Sequence, residues 1–203
     1  MRILITGGLG LVGSHLADAL LKEGCHVTIV DNLTSNVMSP EHYEKRCRVV
    51  VGSIEECYTR FRTPKLAFDE IYHLASVVGP AAVLKHAGDM ARSIVSTGHA
   101  VNEIASWHDA RLIAASTSEV YGRSGQLRET DVCQVPAEYT VRLEYASAKL
   151  TCEIASLNRA RVSGLKVNIV RPFNIAGPRQ LPAGGFVLPR FVTAALTGRP
   201  LTV

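Results

Sequence analysis

Arg2-Ile3-Leu4-Ile5-Thr6-Gly7-Gly8-Leu9-Gly10-Leu11-Val12-Gly13 is the stretch on which the fold turns. A short continuous apolar run that breaks into glycines reads as a strand buried on both faces. Behind it, Leu11 to Glu23 carries apolar residues at Leu11, Val12, Leu16, Ala19 and Leu20, a helical stripe that Gly24 closes. The glycines stand at 7, 10 and 13. In a strand-to-helix turn, Gly7 permits the tight bend and Gly10 lets backbone approach a pyrophosphate. Gly13 lets helix pack on strand, and Leu11 and Val12 complete the loop facing the ligand.

Outward from this turn, strand and helix alternate. Strands are predicted over 26–30, 48–51, 68–74, 111–116 and 166–170. Helices are predicted over 55–62, 81–107, 142–162 and 187–196, with a polar loop over 32–40. Alternation demands crossover connections, so the expected fold is a doubly wound, Rossmann-like α/β domain with a parallel sheet. Ligands of such sheets bind beyond the carboxyl ends of the strands. Asp31 ends the second strand, 18 residues after Gly13. A carboxylate there accepts hydrogen bonds from ribose hydroxyls and repels a 2′-phosphate. No Arg or Lys stands between Asn32 and Ser39 to neutralise one, so NAD is expected rather than NADP.

Composition bounds the rest. The 203 residues carry 22 Lys and Arg against 18 Asp and Glu, a net charge of +4, with 47% hydrophobic and 20% charged residues. That describes a globular domain and excludes disorder and collagen. No stretch reaches the roughly 18–20 apolar residues of a membrane span, so no membrane partner is expected. Lys45-Arg46-Cys47-Arg48 and Arg60-Phe61-Arg62 read as solvated surface. No aromatic-interleaved basic stripe follows them, so no nucleic-acid partner is expected. The five cysteines are odd in number and lack a C-x-x-C pair, and the seven histidines form no ligand pair with them. A reduced, cytoplasmic protein without a metal site follows.

The chemistry is expected at the other end of the sheet. Tyr145 and Lys149 stand i, i+4 in a helical pattern, hence on one face. An ammonium beside a tyrosine favours the phenolate and equips it as a general base. The fifth strand ends in Ser116-Thr117-Ser118-Glu119-Val120-Tyr121-Gly122, which puts hydroxyls where a substrate would lie.

Taken in order, the 6–13 loop, Asp31-Asn32, His73-Leu74-Ala75-Ser76, the 116–122 segment, Tyr145-x-x-x-Lys149 and Arg171-Pro172-Phe173-Asn174 resemble the extended short-chain dehydrogenase/reductases. Within them the chain is similar to the nucleotide-sugar epimerase/dehydratases, and most to the UDP-glucuronate decarboxylase and UDP-sugar 4-epimerase branches. The resemblance implies that NAD takes a hydride from the sugar C4 while Tyr145 removes the hydroxyl proton. Lys149 would lower the tyrosine pKa and hold the nicotinamide ribose. Thr117, with Ser116 and Ser118 nearby, would bond the C4 oxygen. The resulting keto sugar would epimerise, lose water or lose carbon dioxide before the hydride returns. Leu74, Ala75, Ser76, Asn32 and Pro172 would line the cofactor, and Asn174 would contact the substrate diphosphate.

Glu119 stands where decarboxylases and dehydratases carry an acid; Ser118 replaces the Asp of 4,6-dehydratases and disfavours dehydration. The family's usual residues are replaced at Ser53, Ser93, Ser96-Thr97 and Ala176, each removing an expected contact. These departures keep a non-catalytic NAD-binding module open as the alternative, and a truncated form lacking sugar turnover is the other. The resemblance further implies a homodimer through the 81–107 and 142–162 helices. It also implies an NAD-binding domain over 1–171, with only the start of a C-terminal substrate domain over 172–203.

Overall fold

The structure, a computed structural model, describes residues 1–122, 125–136 and 138–201. In chain order the elements are β1 (Arg2–Thr6), α1 (Leu11–Lys22), β2 (His26–Asp31), α2 (Glu41–Glu44), β3 (Arg48–Val51), α3 (Ile54–Cys57), β4 (Glu70–His73), α4 (Pro80–Lys85), α5 (Met90–His108), β5 (Arg111–Ala115), α6 (Val141–Ser163), β6 (Val167–Val170) and α7 (Val187–Leu196). The six strands are all parallel, in the order β3-β2-β1-β4-β5-β6. The order reverses direction beside β1, between its neighbours β2 and β4. That point is where a doubly wound sheet opens a ligand crevice.

The apolar strands explain the layering, because successive side chains of a strand point to opposite faces. Leu4 of β1 joins Val30, Ile71 and Leu112 in a core closed by Val101 and Ile104 of α5 and by Phe61 and Phe68. Ile3 and Ile5 face the other way and pack with Ile29, Leu9, Ala17 of α1 and Tyr43 of α2. Each fully buried side chain of this kind contributes roughly 1.5–3 kcal/mol.

Two predicted elements come out differently. The continuous 81–107 helix is two helices, α4 and α5, interrupted over residues 86–89, where Gly88 has φ +92°. The interruption is held from α6: the Glu144 carboxylate accepts the backbone N–H groups of Gly88 (2.8 Å) and Ala91 (2.9 Å). It thereby caps the start of α5 from another helix. The predicted 55–62 helix is one α turn, α3, followed by a 3-10 turn over Tyr58–Phe61. The single-turn α2 lies in a stretch with no apolar periodicity and was not expected. The last helix has the predicted bounds, 187–196.

Candidate functional site

The glycine loop turns between β1 and α1 much as its spacing implies. Gly7 has φ +71°, and a Cβ there would lie 2.7 Å from the backbone N of Ala75. A Cβ on Gly13 would lie 2.1 Å from the carbonyl O of Gly7, so only glycine lets α1 approach β1 this closely. At Gly10 a Cβ would meet one atom, the carbonyl O of Gly7 at 3.3 Å, a tight contact but a much milder one than at Gly7 or Gly13. Gly8, which the spacing argument passed over, is packed just as tightly: a Cβ would meet Ile29 at 2.7 Å. No side chain among the described residues caps α1 at Gly10. Its first-turn N–H groups, at Leu11 and Val12, are thus available to an anion.

Asp31 is buried and bonds the loop directly. One carboxylate oxygen accepts Leu9 N–H and the other Leu33 N–H, both at 2.9 Å. Each oxygen keeps a lone pair for a ribose hydroxyl. Asn32 is exposed and accepts Thr34 N–H at 3.1 Å, closing its own turn. Across the switch point, Leu74, Ala75 and Ser76 leave β4 half-buried beside the glycine loop. Leu74 N–H donates to the Thr6 carbonyl at 3.0 Å. The Thr6 hydroxyl bonds His73 Nδ1 at 2.7 Å. Burial pushes the His73 pKa down to about 3, with the Lys149 charge acting in the same direction. The imidazole is therefore neutral where it meets the Thr6 hydroxyl.

Thr117 and Tyr145 face the crevice from β5 and α6. Thr117 is buried, and its hydroxyl accepts Glu119 N–H at 3.2 Å. Ser118 is half-buried, while Glu119 is exposed. Tyr145 is half-buried. Burial raises its pKa above the ordinary phenol value and the Glu119 carboxylate raises it further, against the Ser76 and Thr117 hydroxyls. The expected lowering by Lys149 is absent from this arrangement. Lys149 is 4% exposed, and its Nζ donates to the Ala115 carbonyl at 2.8 Å. Burial brings its own pKa down to about 8, opposed by Cys152 and Glu153.

Two buried hydroxyls, Ser76 Oγ and Ser116 Oγ, have no hydrogen-bond partner among the described residues. Ser76 therefore approaches Tyr145 more loosely than a hydrogen bond. Ser116 lines a small cavity of about 20 Å³ shared with His73, Lys149, Cys152 and Glu153. That volume suffices for one water. Orphaned hydroxyls beside an open glycine cradle are the mark of a site whose polar ligand completes it. These residues fit a dinucleotide.

What holds this end together is a pair of charges far apart in the chain. Glu153 is one turn beyond Lys149 on α6, with its carboxylate side chain 3% exposed. It takes a bidentate pair from Arg171, Nε to Oε1 at 3.0 Å and Nη2 to Oε2 at 2.6 Å. The same guanidinium lies over the Tyr121 ring at 4.9 Å and donates to Cys133 Sγ at 3.6 Å. The pair drives the Arg171 pKa upward. An i, i+4, i+8 stripe of Tyr145, Lys149 and Glu153 was the only local signal for it. Pro172 follows, half-buried, its carbonyl accepting Ser118 N–H at 3.0 Å. Asn174 is exposed, on the irregular segment that leaves β6. Among the described residues, no group of His, Cys, Asp and Glu could hold a metal ion, and no helix is long and apolar enough to cross a membrane.

Known proteins resemble this chain in sequence and fold. A decarboxylase of UDP-N-acetyl-alpha-D-glucosaminuronate from Bacillus cytotoxicus is 35% identical across 100% of this chain and 63% of its own length. UDP-glucuronic acid decarboxylase 1 of Xenopus tropicalis is 33% identical across 100% of this chain and 48% of its own length. Among solved structures, the UDP-glucose 4-epimerase of Thermotoga maritima superposes with a TM-score of 0.84 and 29% identity. That match covers 98% of this chain and 64% of the other. The chain thus spans between about half and two thirds of the length of these relatives. The sequence profile of one family matches residues 3–203, and with the decarboxylase identity it shows that the chain belongs to the NAD dependent epimerase/dehydratase family.

Proposed function

We propose that this chain holds NAD and works on the C4 hydroxyl of a nucleotide sugar, as a UDP-glucuronate decarboxylase or a UDP-sugar 4-epimerase. The observation that carries the reading is the convergence of Thr117 and Tyr145 on one crevice, with Lys149 buried behind them and the glycine cradle alongside. NAD, when bound, supplies a reversible hydride acceptor.

The chain's own residues do the rest. Thr117 donates to the sugar O4 and orients it. Tyr145 takes the O4 proton and gives it back. Its raised pKa in the unliganded site means that bound substrate and the cofactor's positive charge must bring it down before it acts as a base. Lys149 holds a positive charge on the ribose side. Glu119, exposed beside Tyr145, is placed to act on the sugar C5 carboxylate or its neighbouring proton. The printed names of the two decarboxylase relatives favour decarboxylation.

Residues 1–171 form the NAD-binding domain in this reading, and 172–203 begin the substrate domain. The exposed Val95 of α5, with Ile154 and Leu157 of α6, supports a homodimer through these two helices. Five free thiols are consistent with a reducing, cytoplasmic setting. A second reading, a non-catalytic NAD-holding module, is favoured by Ser53. Its hydroxyl is engaged by Glu55 and withdrawn from an adenine.

Mass spectrometry of products from UDP-glucuronate and UDP-glucose decides between these readings. Loss of carbon dioxide identifies the decarboxylase, and an isobaric product with altered stereochemistry identifies the epimerase. Tyr145→Phe should abolish either activity with NAD still bound. Turnover surviving in Tyr145→Phe would refute the catalytic assignment, and NAD binding with no turnover of any UDP-sugar by the full-length protein would favour the module.

A further inference from the structure

Asp18 and His15 lie on the outer side of α1, away from every residue assigned to the chemistry. Both reach the segment that leaves β6. The His15 ring bonds the Pro178 carbonyl through Nε2 at 3.1 Å, and Arg179 Nη2 donates to Asp18 Oδ2 at 2.6 Å. The second Asp18 oxygen takes Arg46 Nη1 at 3.0 Å. Arg179 has φ +71°, a left-handed conformation that a non-glycine residue keeps only where its surroundings hold it.

The topology gives these bonds their meaning. β6 is the outermost strand, and α1 springs from β1, three strands away across β5 and β4. At about 4.8 Å per strand the separation is roughly 14 Å, which a segment of nine residues spans easily. All strands are parallel, so β6 ends on the same edge of the sheet where α1 begins. Residues 171–179 therefore run along the carboxyl edge, past the ends of β5 and β4, where the crevice lies.

The segment is fastened at both ends. Near β6, Pro172 accepts Ser118 N–H, and Arg171 is clamped by Glu153. Near α1, His15 and Asp18 hold Pro178 and Arg179. Between the fastenings, Ile175, Ala176, Gly177 and Pro178 face Leu11, Val12 and His15 across a cleft of about 490 Å³. Leu11 and Val12 belong to the glycine turn itself.

We propose that residues 171–179 form a strap across the dinucleotide crevice, and that the Asp18–Arg179 ion pair is the clasp that sets how fast NAD escapes. This rests on the NAD-binding reading above. Asp18 and Arg179 are positioning residues, bonded to each other, and act by keeping the strap across the exit. An ion pair of this partly exposed kind affects an equilibrium by about fivefold, and salt weakens it.

The test loads the chain with NAD, dilutes it, and follows the NAD retained on protein by rapid column separation. Arg179→Met should release NAD about fivefold faster at low salt. Raising the salt should speed release from the unsubstituted chain toward the Arg179→Met rate, with a smaller effect on the variant. Arg46→Met removes the other partner of Asp18 and leaves the strap fastened, so its release rate should match the unsubstituted chain. Arg179→Gly, which keeps the positive φ without strain, should behave as Arg179→Met and covers the case in which that variant folds poorly. Equal release rates for the NAD-loaded unsubstituted chain and Arg179→Gly would overturn the clasp alone. An unsubstituted chain that takes up no NAD would overturn the cofactor reading and the clasp with it.

Discussion

Replacing Gly13 and Gly10 separately by alanine tests the cofactor turn at its two different tasks. The Gly13 Cβ would stand 2.1 Å from Gly7 O, 2.7 Å from Gly8 Cα and 2.9 Å from the Gly7 carbonyl carbon. All three are backbone atoms, so no side chain can swing aside. Ordinary contact requires α1 to withdraw from β1 by about 1 Å, and overpacking of that kind costs about 1–3 kcal/mol or more. For a chain of this size each kcal/mol lowers Tm by about 2–4 °C, so Gly13→Ala should melt some 4–10 °C early. The withdrawal also pulls the first-turn N–H groups off the pyrophosphate position, so NAD binding falls as well. At Gly10 the nearest atom to a new Cβ is Gly7 O at 3.3 Å, and the backbone there, φ −75°, suits any residue. Gly10→Ala should lose only about 1–4 °C of melting temperature, because alanine is a poorer N-cap than glycine by roughly 0.5–1 kcal/mol and its Cβ meets a single backbone oxygen. Its new methyl occupies the side from which the pyrophosphate approaches, so NAD affinity should drop at least tenfold. Thermal melting without ligand and calorimetric titration with NAD read the two effects apart. If Gly10→Ala melted as early as Gly13→Ala, or if Gly13→Ala kept its Tm, the assignment of packing to one glycine and ligand approach to the other would fail.

Three further predictions concern the buried charges. His73 titrates near 3 in the fold and near 6.5 when unfolded, so between those values the unfolded chain binds the extra proton. Stability is therefore lost as pH falls from about 6.5 toward 3, by on the order of 5 kcal/mol at most, and His73→Gln should flatten acid unfolding followed by circular dichroism. Lys149 titrates near 8 in the fold against 10.5 unfolded, so its contribution to stability grows as pH rises from about 8 to 10.5. Lys149→Met should remove that rise in pH-dependent melting while abolishing turnover. Glu153→Gln leaves the partly buried Arg171 without its carboxylate and should cost about 2–4 kcal/mol in denaturant unfolding. The double change Glu153→Met, Arg171→Met should recover part of the loss, and a double variant no better than the single would show that the pair is not the source.

The helical bounds show where local pattern suffices. α7 has its predicted 187–196 span, because an apolar stripe stops where Gly198 and Pro200 follow. The glycine turn, Asp31 and the Tyr145–Lys149 face are legible for the same reason: turn chemistry and helical spacing act within a few residues. The break between α4 and α5 is not, because its cause is Glu144, more than fifty residues downstream. The state of Tyr145 is similarly hidden. Spacing places Lys149 one turn away, but not the Ala115 carbonyl to which the ammonium turns, nor the burial that raises the tyrosine pKa and lowers that of the lysine.

Periodicity, glycine spacing and the order of motifs were enough for a parallel doubly wound sheet, an NAD-type turn and the two ends of the crevice. They suffice because each reports the geometry of neighbours along the chain. The Glu153–Arg171 clamp joins residues 18 apart, Thr6 and His73 are 67 apart, and Asp18 and Arg179 are 161 apart. Such pairs exist only once the strands are laid side by side in the order that puts β6 at the edge and α1 across the crevice. Charges paired over those distances carry no period, so they became visible only in the folded chain.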